Sequence, residues 1–507
     1  MKVFKLNDYN SADTIAALAT FPSTSALGII KISGKKALDI VSRIFLPRRK
    51  KNLKKVKTYT LHYGWIVDKA HSARRIAHSG KHQTSHVPST FGETSPLCGG
   101  RPTSHIIIDE VLVSVMRAPN SYTKEDVVEI SCHGGILVLN RILEIILKQG
   151  ARLALPGEFT YRAFLNGRID LLQAESIQSI VESKSKESLA LANAQLKGEA
   201  SAKIREMKER VKELFIETEA LINFPEDGVK IDITKIKDRV KILESKLNAL
   251  LGGSEEARAL KEGLRCVICG KTNVGKSTLF NCLFGQERVI VSKFAGTTRD
   301  VIEETINIRG VPLRIYDTAG ILTPKDLLAK KAIEKSSQAF NEADLIILVL
   351  DGSRPLSKED LFLFDKVKNV TGKDTLNKKS LIVAINKVDL KQRLRAKDIF
   401  SFSGFKVKLS ALRNRGIKDL EQAVFKVVYK KGIKKEDMIF LSHYQFQVLK
   451  TTKEAVSGAR QYLEKEYPID FVNLALKESL DNLGKISGEV FSQELIENIF
   501  SNFCIGK

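Results

Sequence analysis

The run Gly270-Lys-Thr-Asn-Val-Gly-Lys-Ser277 constrains this chain more than any other. It fits G-x-x-x-x-G-K-S, follows the apolar stretch Arg265–Cys269 and precedes a helical pattern. In that context the glycines let backbone N–H groups close around phosphates, Lys276 reaches the outer phosphates and Ser277 ligates magnesium. From about 259 to 430, β-rich apolar runs alternate with amphipathic stretches, which predicts a doubly wound α/β domain. Its expected strands are Arg265–Cys269, Leu313–Asp317, Leu345–Asp351 and Leu381–Lys387.

Three further elements follow in order. Asp317-Thr318-Ala319-Gly320 ends an apolar strand, placing a carboxylate next to magnesium and a glycine that senses the terminal phosphate. Asn386-Lys387-Val-Asp389 ends another; its aspartate can accept both N1–H and the exocyclic amine of guanine, whereas adenine leaves it unpaired. Ser410-Ala411-Leu412 supplies a last guanine-contacting loop. Together they predict a site for GTP with Mg2+, to which Val274, Gly275 and Thr278 also contribute.

The flanks differ in texture. Residues 13 to about 165 mix short apolar runs with turns, among them Leu27–Gly34 and Glu110–Met116, and predict mixed strands and helices. From Asn166 to about Leu251 the chain reads as long helix, with Ile204, Met207, Val211, Leu214, Thr218 and Leu221 on one stripe that suits a bundle core. Helical texture returns after about Lys431. The α/β domain is therefore expected as an insertion in a discontinuous helical domain. A Ser/Thr/Gly/Pro-rich stretch, His71 to His105, holds five of the eight histidines and reads as a flexible surface insertion.

Cys266-Val-Ile-Cys269 spells C-x-x-C, but no second pair stands at zinc-ribbon spacing, and a buried strand is expected. Six cysteines make no disulfide framework. No apolar run reaches the ~18–20 residues needed to span a bilayer. The start, Met1-Lys-Val-Phe-Lys, has no signal-peptide or transit-peptide pattern, so the expected location is the cytoplasm. A formal charge of +23, from 82 Lys+Arg against 59 Asp+Glu, fits a polyanionic partner or a Lys-rich solvated surface.

Ile321 stands where Ras-type proteins carry a water-orienting glutamine. Asn273 and Gly296-Thr297-Thr298-Arg-Asp300 instead resemble the GTPases that recruit potassium. That resemblance implies K+ ligands from the Asn273 side chain and the Ser292 and Phe294 carbonyls, with Thr297 assisting. Thr298 would be the second magnesium ligand, and Lys293, Ala295 and Gly296 complete the nucleotide-facing loop.

The chain ends Phe503-Cys504-Ile-Gly-Lys507, and it also carries Pro156-Gly-Glu-Phe, Arg162-Ala-Phe-Leu-Asn166, Asp170-Leu-Leu-Gln-Ala-Glu175, Pro119-Asn-Ser-Tyr-Thr-Lys-Glu-Asp126 and Cys132-His-Gly-Gly135. With these motifs it resembles the MnmE (TrmE) family over nearly its whole length, His71–His105 being the main exception. The resemblance implies an N-terminal α+β folate-binding and dimerisation domain (1–165), a helical-bundle domain from 166–258 and 431–507, and a P-loop GTPase domain (259–430) inserted between them. It further implies a homodimer and action on tRNA together with an FAD- and NADH-dependent MnmG-type partner, as a heterotetramer. The product would be a carboxymethylaminomethyl-type group on carbon five of the wobble uridine, its one-carbon unit drawn from a reduced folate of the formyl- or methylene-tetrahydrofolate type. Folate contacts carry over to Lys31, Glu129, Arg168 and Lys507, whose charges suit a glutamate tail and pterin amino groups. Cys504 is a candidate nucleophile or a small packing residue. Where members can use a water-positioning glutamate, this chain has Ala329, with Asp326 and Glu334 the nearest acids. A ribosome-assembly GTPase would share the charge and the GTPase elements, but has no use for the terminal Cys504–Lys507 or the folate motifs.

Overall fold

The computed structural model describes residues 5, 9–49, 51–68, 106–223, 232–284, 303–316, 340–371, 380–395, 399, 404–429, 435–501, 503 and 506. The chain forms two compact units, one of Met1–Ala174 with Val490–Lys507, the other of Glu175–Glu489.

The first unit runs β1 (Ile15–Leu18), β2 (Ser25–Ser33), α1 (Ala37–Ile44), β3 (Phe45–Pro47), β4 (Thr60–Asp68), β5 (Ile106–Met116), β6 (Val127–Gly134), α2 (Ile136–Lys148), β7 (Arg152–Leu153) and α3 (Glu158–Leu165). Its strands pair in the order β3-β4-β5-β6-β2-β1-β7. Strand alternation decides which face is covered. Ile30, Ile32, Val113, Val128 and Ile130 point into a core closed by Ile40 and Ile44 of α1 and Ile142 and Ile146 of α2. Their neighbours Leu61, Tyr63 and Leu112 remain exposed.

The Pro156 and Arg162 motifs build a buried ionic node. Arg162 is fully buried and bonds Glu158 and Glu125, each at 3.0 Å, while Arg152 reaches Glu158 at 2.6 Å and Asp13 at 2.7 Å. Charges buried this way persist because each has a partner, and removing one partner strands the other.

The C-terminal helix Gln493–Ser501, part of the 431–507 stretch read as helical from sequence, packs in this same unit. The reason is aromatic. Phe500 is fully buried, with Tyr161 edge-on at 5.1 Å and Phe503 stacked at 5.5 Å. Beyond it Gly506 lies so close to β1 that a Cβ there would stand 2.5 Å from the Leu18 carbonyl.

The second unit begins within α4 (Leu171–Glu182) and continues through α5 (Lys186–Leu196), α6 (Glu199–Asn223) and α7 (Ile233–Glu262). The inserted sheet and its helices follow: β8 (Leu264–Cys269), α8 (Lys276–Phe284), β9 (Glu303–Ile308), β10 (Val311–Tyr316), β11 (Leu345–Asp351), α9 (Lys358–Thr371), β12 (Ser380–Asn386), β13 (Phe405–Lys408) and α10 (Ile417–Val428). Then α11 (His443–Glu464) and α12 (Ile469–Ser487) complete the bundle. Of the expected α6 stripe, Ile204, Met207, Val211, Leu214 and Thr218 are buried and Leu221 is half-buried. They match stripes on α7 (Val240, Leu243, Leu247), α11 (Leu449, Val456) and α12 (Leu476, Leu483). A capping box at Ser442 and Gln445 fixes the start of α11 directly after the inserted sheet.

The sheet order is β13-β12-β11-β8-β10-β9, parallel except for β9. The chain leaves β8 toward β10 on one side and returns to β11 on the other. The carboxyl end of β8 is thus the topological switch point, where open α/β sheets bind ligands. Cys266 and Cys269 are buried in β8, as expected of a strand; burial drives both thiols far up, Cys269 to about 12. Among the described residues no group of His, Cys, Asp or Glu is arranged to hold a metal, and no helix is long and apolar enough to cross a membrane. The His71–His105 stretch lies outside the described residues.

Candidate functional site

Three loops converge at the carboxyl end of the second unit's sheet. The glycine-rich turn follows β8, and Asn273 and Gly275 take left-handed conformations with φ of 62° and 97°. Asparagine tolerates that region through its short polar side chain, and glycine has no Cβ to oppose it. A Cβ on Gly275 would collide with Nδ2 of Asn386. The loop is therefore pressed against β12, with room for backbone only, as a main-chain phosphate cradle requires. Lys276, the first residue of α8, donates to the carbonyls of Gly270 at 3.0 Å and Lys271 at 2.8 Å; burial pulls its ammonium pKa below the usual lysine range. Ser277, Thr278 and Asn273 are exposed and Val274 is buried.

Asn386 ties this loop to the other two. Buried at the end of β12, it donates from Nδ2 to the Val274 carbonyl at 2.8 Å and accepts at Oδ1 from Ala411 N–H at 2.9 Å. Lys387 leaves the strand with φ 64°, so β12 ends one residue before the expected Leu381–Lys387. Its ammonium donates to the Asn273 carbonyl at 2.8 Å and to Asp351 at 2.7 Å. Asp389 is exposed, and a hydrogen bond from the Ser410 hydroxyl, the largest of several causes, holds its carboxyl below the ordinary aspartate pKa. It therefore stays ionised and can accept two hydrogen bonds. Ser410 is buried and pairs with Arg415 across a tight turn, which leaves Leu412 exposed at the loop tip.

Asp351 was not legible as part of this site. It ends β11, and burial would raise its pKa, yet bonds from Lys387 and Ser353 outweigh that and leave it depressed. Its one sequence signal is an acid at the end of an apolar strand beside the phosphate loop. Ser292, Lys293, Phe294, Ala295, Gly296, Thr297 and Thr298, the Asp317–Gly320 run, Ile321 and Ala329 all lie outside the described residues. The residues that are described fit a Mg2+–GTP ligand: a glycine cradle, a lysine at the loop's end, an exposed hydroxyl at Ser277 that would ligate magnesium and an ionised Asp389.

In the first unit, Lys31 and Glu129 are cross-strand partners on β2 and β6, with Nζ 3.5 Å from the carboxylate. Lys31 also lies 5.0 Å from the Tyr122 ring and 5.5 Å from that of Phe159, and the Arg168 guanidinium is 4.7 Å from Tyr122. Two of the four folate candidates thus flank one aromatic ring, and a third, Glu129, pairs with one of them. Tyr122 is the residue that sequence reasoning passed over, though it sits in the Pro119–Asp126 motif. Its hydroxyl bonds Thr160 at 2.9 Å, and burial raises its pKa despite that bond and Arg168. Two cations, one acid and a ring suit a planar heterocycle bearing a carboxylate tail. Lys507 and Cys504 lie outside the described residues, but Gly506 abuts Leu18, and Ala17 beside it pairs with Lys31.

Family models place these two regions. The model described as GTP-binding protein TrmE N-terminus matches residues 14–168, and the MnmE helical domain matches 171–504. A curated protein named tRNA modification GTPase MnmE from Thermoanaerobacter pseudethanolicus is 40% identical, over 98% of this chain and 99% of its own. The protein of that name from Bacillus subtilis is 37% identical over 98% and 100%. Among solved structures, Aquifex aeolicus Era is 29% identical over 38% of this chain and 66% of its own, at a TM-score of 0.26, too low to carry an argument. On the whole-length identity and the two family models, the chain belongs to the MnmE (TrmE) family of tRNA modification GTPases.

Proposed function

We infer that the protein hydrolyses GTP to drive modification of carbon five of the wobble uridine in certain tRNAs, installing a carboxymethylaminomethyl-type group. The observation that carries this reading is the coexistence, in one chain, of the Asn386-clasped phosphate loop and the Lys31–Tyr122–Arg168 cluster. A plain nucleotide switch needs only the first.

In the nucleotide site Lys276, Ser277 and the loop N–H groups hold phosphates and magnesium, and Asp389 selects guanine. Bound magnesium, with a potassium ion at Asn273, would neutralise charge that develops on the transferred phosphoryl group. The chain's own part is positional. Lys387 and Asn386 fix the loop, and Asn273 at positive φ presents an exposed side-chain oxygen.

In the first unit, Lys31 and Arg168 would take the carboxylates of a reduced folate of the formyl or methylene type, and Glu129 would accept from its pterin amino groups. The Gly506–Leu18 contact supports a role for the tail in the same site, with Lys507 as a further cation. The partners in this reading are tRNA, a second copy of the chain, and an FAD- and NADH-dependent MnmG-type protein, in the cytoplasm.

Mass spectrometry of wobble nucleosides tests the proposal. Total tRNA from a strain lacking the gene should lose the C5-substituted uridine. The intact gene should restore it, and Lys276→Ala should not. An unchanged nucleoside profile in the deletion strain overturns the reading.

A further inference from the structure

Seven of the ten residues from Arg48 to Lys57 are Lys or Arg, and none is acidic. A run of this kind is ordinarily a solvated, mobile tail. Here it is built into the fold. Leu53 is buried in the sheet core and Val56 packs against it. Asn52 caps the turn by accepting from Lys54 N–H at 2.9 Å. Arg117 donates from Nε to the Val56 carbonyl at 2.7 Å and from its other end to the Lys54 carbonyl. The Arg48 N–H bonds the Tyr63 carbonyl at 3.0 Å. A guanidinium thus holds the segment from inside while Arg48, Arg49, Lys51, Lys54, Lys55 and Lys57 stay exposed. Asp39 answers Lys54 at 2.6 Å and is the acid that pairs with these six among the described residues.

Tyr59, just past the run, has φ 58°, a conformation that a bulky side chain adopts only under constraint. Its N–H is fixed to the Val115 carbonyl at 2.8 Å, yet its ring is 71% exposed. Strain of this sort persists where surrounding structure imposes it, and it gathers at functional sites. Beside it the Arg48 guanidinium lies 5.6 Å from the Tyr63 ring. A fixed row of cations with a strained, outward aromatic ring has the two parts of a single-strand nucleic-acid contact: phosphate neutralisation and a stacking platform. Among the described residues the cations sit on a short turn rather than an amphipathic helix, and α1 before them buries its apolar face in the core, which leaves no apolar helix face to insert into a lipid surface.

We propose that the Arg48–Lys57 strap and Tyr59 form an RNA-docking edge, with the strap on tRNA phosphates and Tyr59 under an unpaired base. This rests on the tRNA reading above and adds where the RNA sits. The sheet register gives the placement its sense. Leu61, two residues on, pairs with Ser114, which pairs with Glu129, which pairs with Lys31. At about 4.8 Å per strand the docking edge lies roughly 15 Å from Lys31, within the span of a few nucleotides.

The test is binding of an unmodified tRNA transcript to the full-length protein, measured across a KCl series. The variant Arg48→Gln/Arg49→Gln/Lys51→Gln/Lys55→Gln keeps the Lys54–Asp39 pair. Its control replaces four exposed lysines of the other unit, Lys235, Lys241, Lys465 and Lys477, by Gln. The strap variant should bind at least about tenfold more weakly and lower the log–log salt slope by about 3, at roughly 0.7–0.9 per phosphate lost. The control should change neither by comparable amounts. Tyr59→Ala should weaken binding about fivefold or more and Tyr59→Phe should restore it, as stacking requires and a structural role of the hydroxyl does not. Far-UV circular dichroism and a thermal melt matching the wild type report that the first unit, which carries the strap, is folded in each variant. Wild-type affinity and slope in the strap variant overturn the proposal while leaving the tRNA reading intact. A wild-type chain that binds no tRNA overturns both. Loss of binding to phosphatidylserine vesicles with tRNA binding unchanged overturns it in favour of a membrane contact.

Discussion

Asn386 hangs from β12 by its backbone and holds Val274, in a different loop, by its side chain at 2.8 Å. The loop after β12, with Ala411, and the glycine-rich loop are therefore one mechanical object. Removing the amide strands the Val274 carbonyl and the Ala411 N–H in a buried setting. Asn386→Ala should lose about 1–3 kcal/mol of stability. GTP affinity should fall at least about tenfold, since both loops relax together. Titration with a fluorescent GTP analogue beside a denaturant melt checks this; full affinity with reduced stability would confine Asn386 to a structural role.

Asp389 is the residue proposed to carry the base preference. Its carboxylate is kept ionised by the Ser410 hydroxyl bond above all. Asp389→Asn presents an amide where two donors must be accepted, so GTP binding should weaken by about 100-fold or more and xanthine nucleotide binding should improve. Competition between GTP and XTP reads this directly, and unchanged GTP preference would mean the base is read elsewhere.

Potassium should stimulate GTP hydrolysis well beyond sodium at matched ionic strength. The motive is Asn273, exposed and at φ 62° while Lys387 pins its carbonyl. Asn273→Ala should remove most of the stimulation and leave nucleotide affinity largely intact, because the loop's restraint runs through the backbone. Equal rates in the two salts would dismiss the cation site.

Glu175 gives a pH prediction. Burial, first among the causes, raises its pKa to about 7 against the lowering effects of Lys261, Ser442 and Gln445. The unfolded chain loses this proton near the ordinary glutamate value of about 4.3, so between there and pH 7 the folded state binds more protons. Stability should fall as pH rises through that window and level off above it. Glu175→Gln should stabilise the protein by about 1–3 kcal/mol at pH 8 and change little at pH 4. Parallel melts at the two pH values check it, and an equal shift at both would assign the effect to packing.

What could be read from sequence follows the range of the interactions involved. Periodicity and apolar runs are local, so the β8 and β11 strands and the α6 stripe were legible nearly to the residue. The Gly270–Ser277 loop was legible because its chemistry demands a contiguous pattern. Asp351 and Tyr122 were not, since each acquires its role from a neighbour across the sheet or loop, Lys387 in one case and Lys31 with Arg168 in the other. The company kept by the last helix was not legible for the same reason. Helical texture after Lys431 is continuous in sequence, but Phe500 is drawn to Tyr161 and takes its helix into the first unit.

That capture of the C-terminus leads to the last prediction. Gly506 takes φ 93° against the Leu18 carbonyl, and the residue before Leu18 pairs with Lys31. A larger residue at 506 would be strained and would meet backbone, so this close approach to β1 depends on that glycine. Deleting Cys504–Lys507 should therefore abolish tRNA modification and cut reduced-folate affinity, while GTP hydrolysis continues, because each described residue of the nucleotide site lies in the other unit. Gly506→Val should reproduce the folate defect by displacing the tail, and Lys507→Ala should reproduce part of it by removing one cation. Calorimetric titration with a reduced folate, run on intact, truncated and substituted protein, separates the contributions. Equal folate affinity in the intact and truncated chains would mean that the tail merely packs the first unit. An intact chain that binds no folate would remove the Lys31–Tyr122–Arg168 cluster from the one-carbon chemistry altogether.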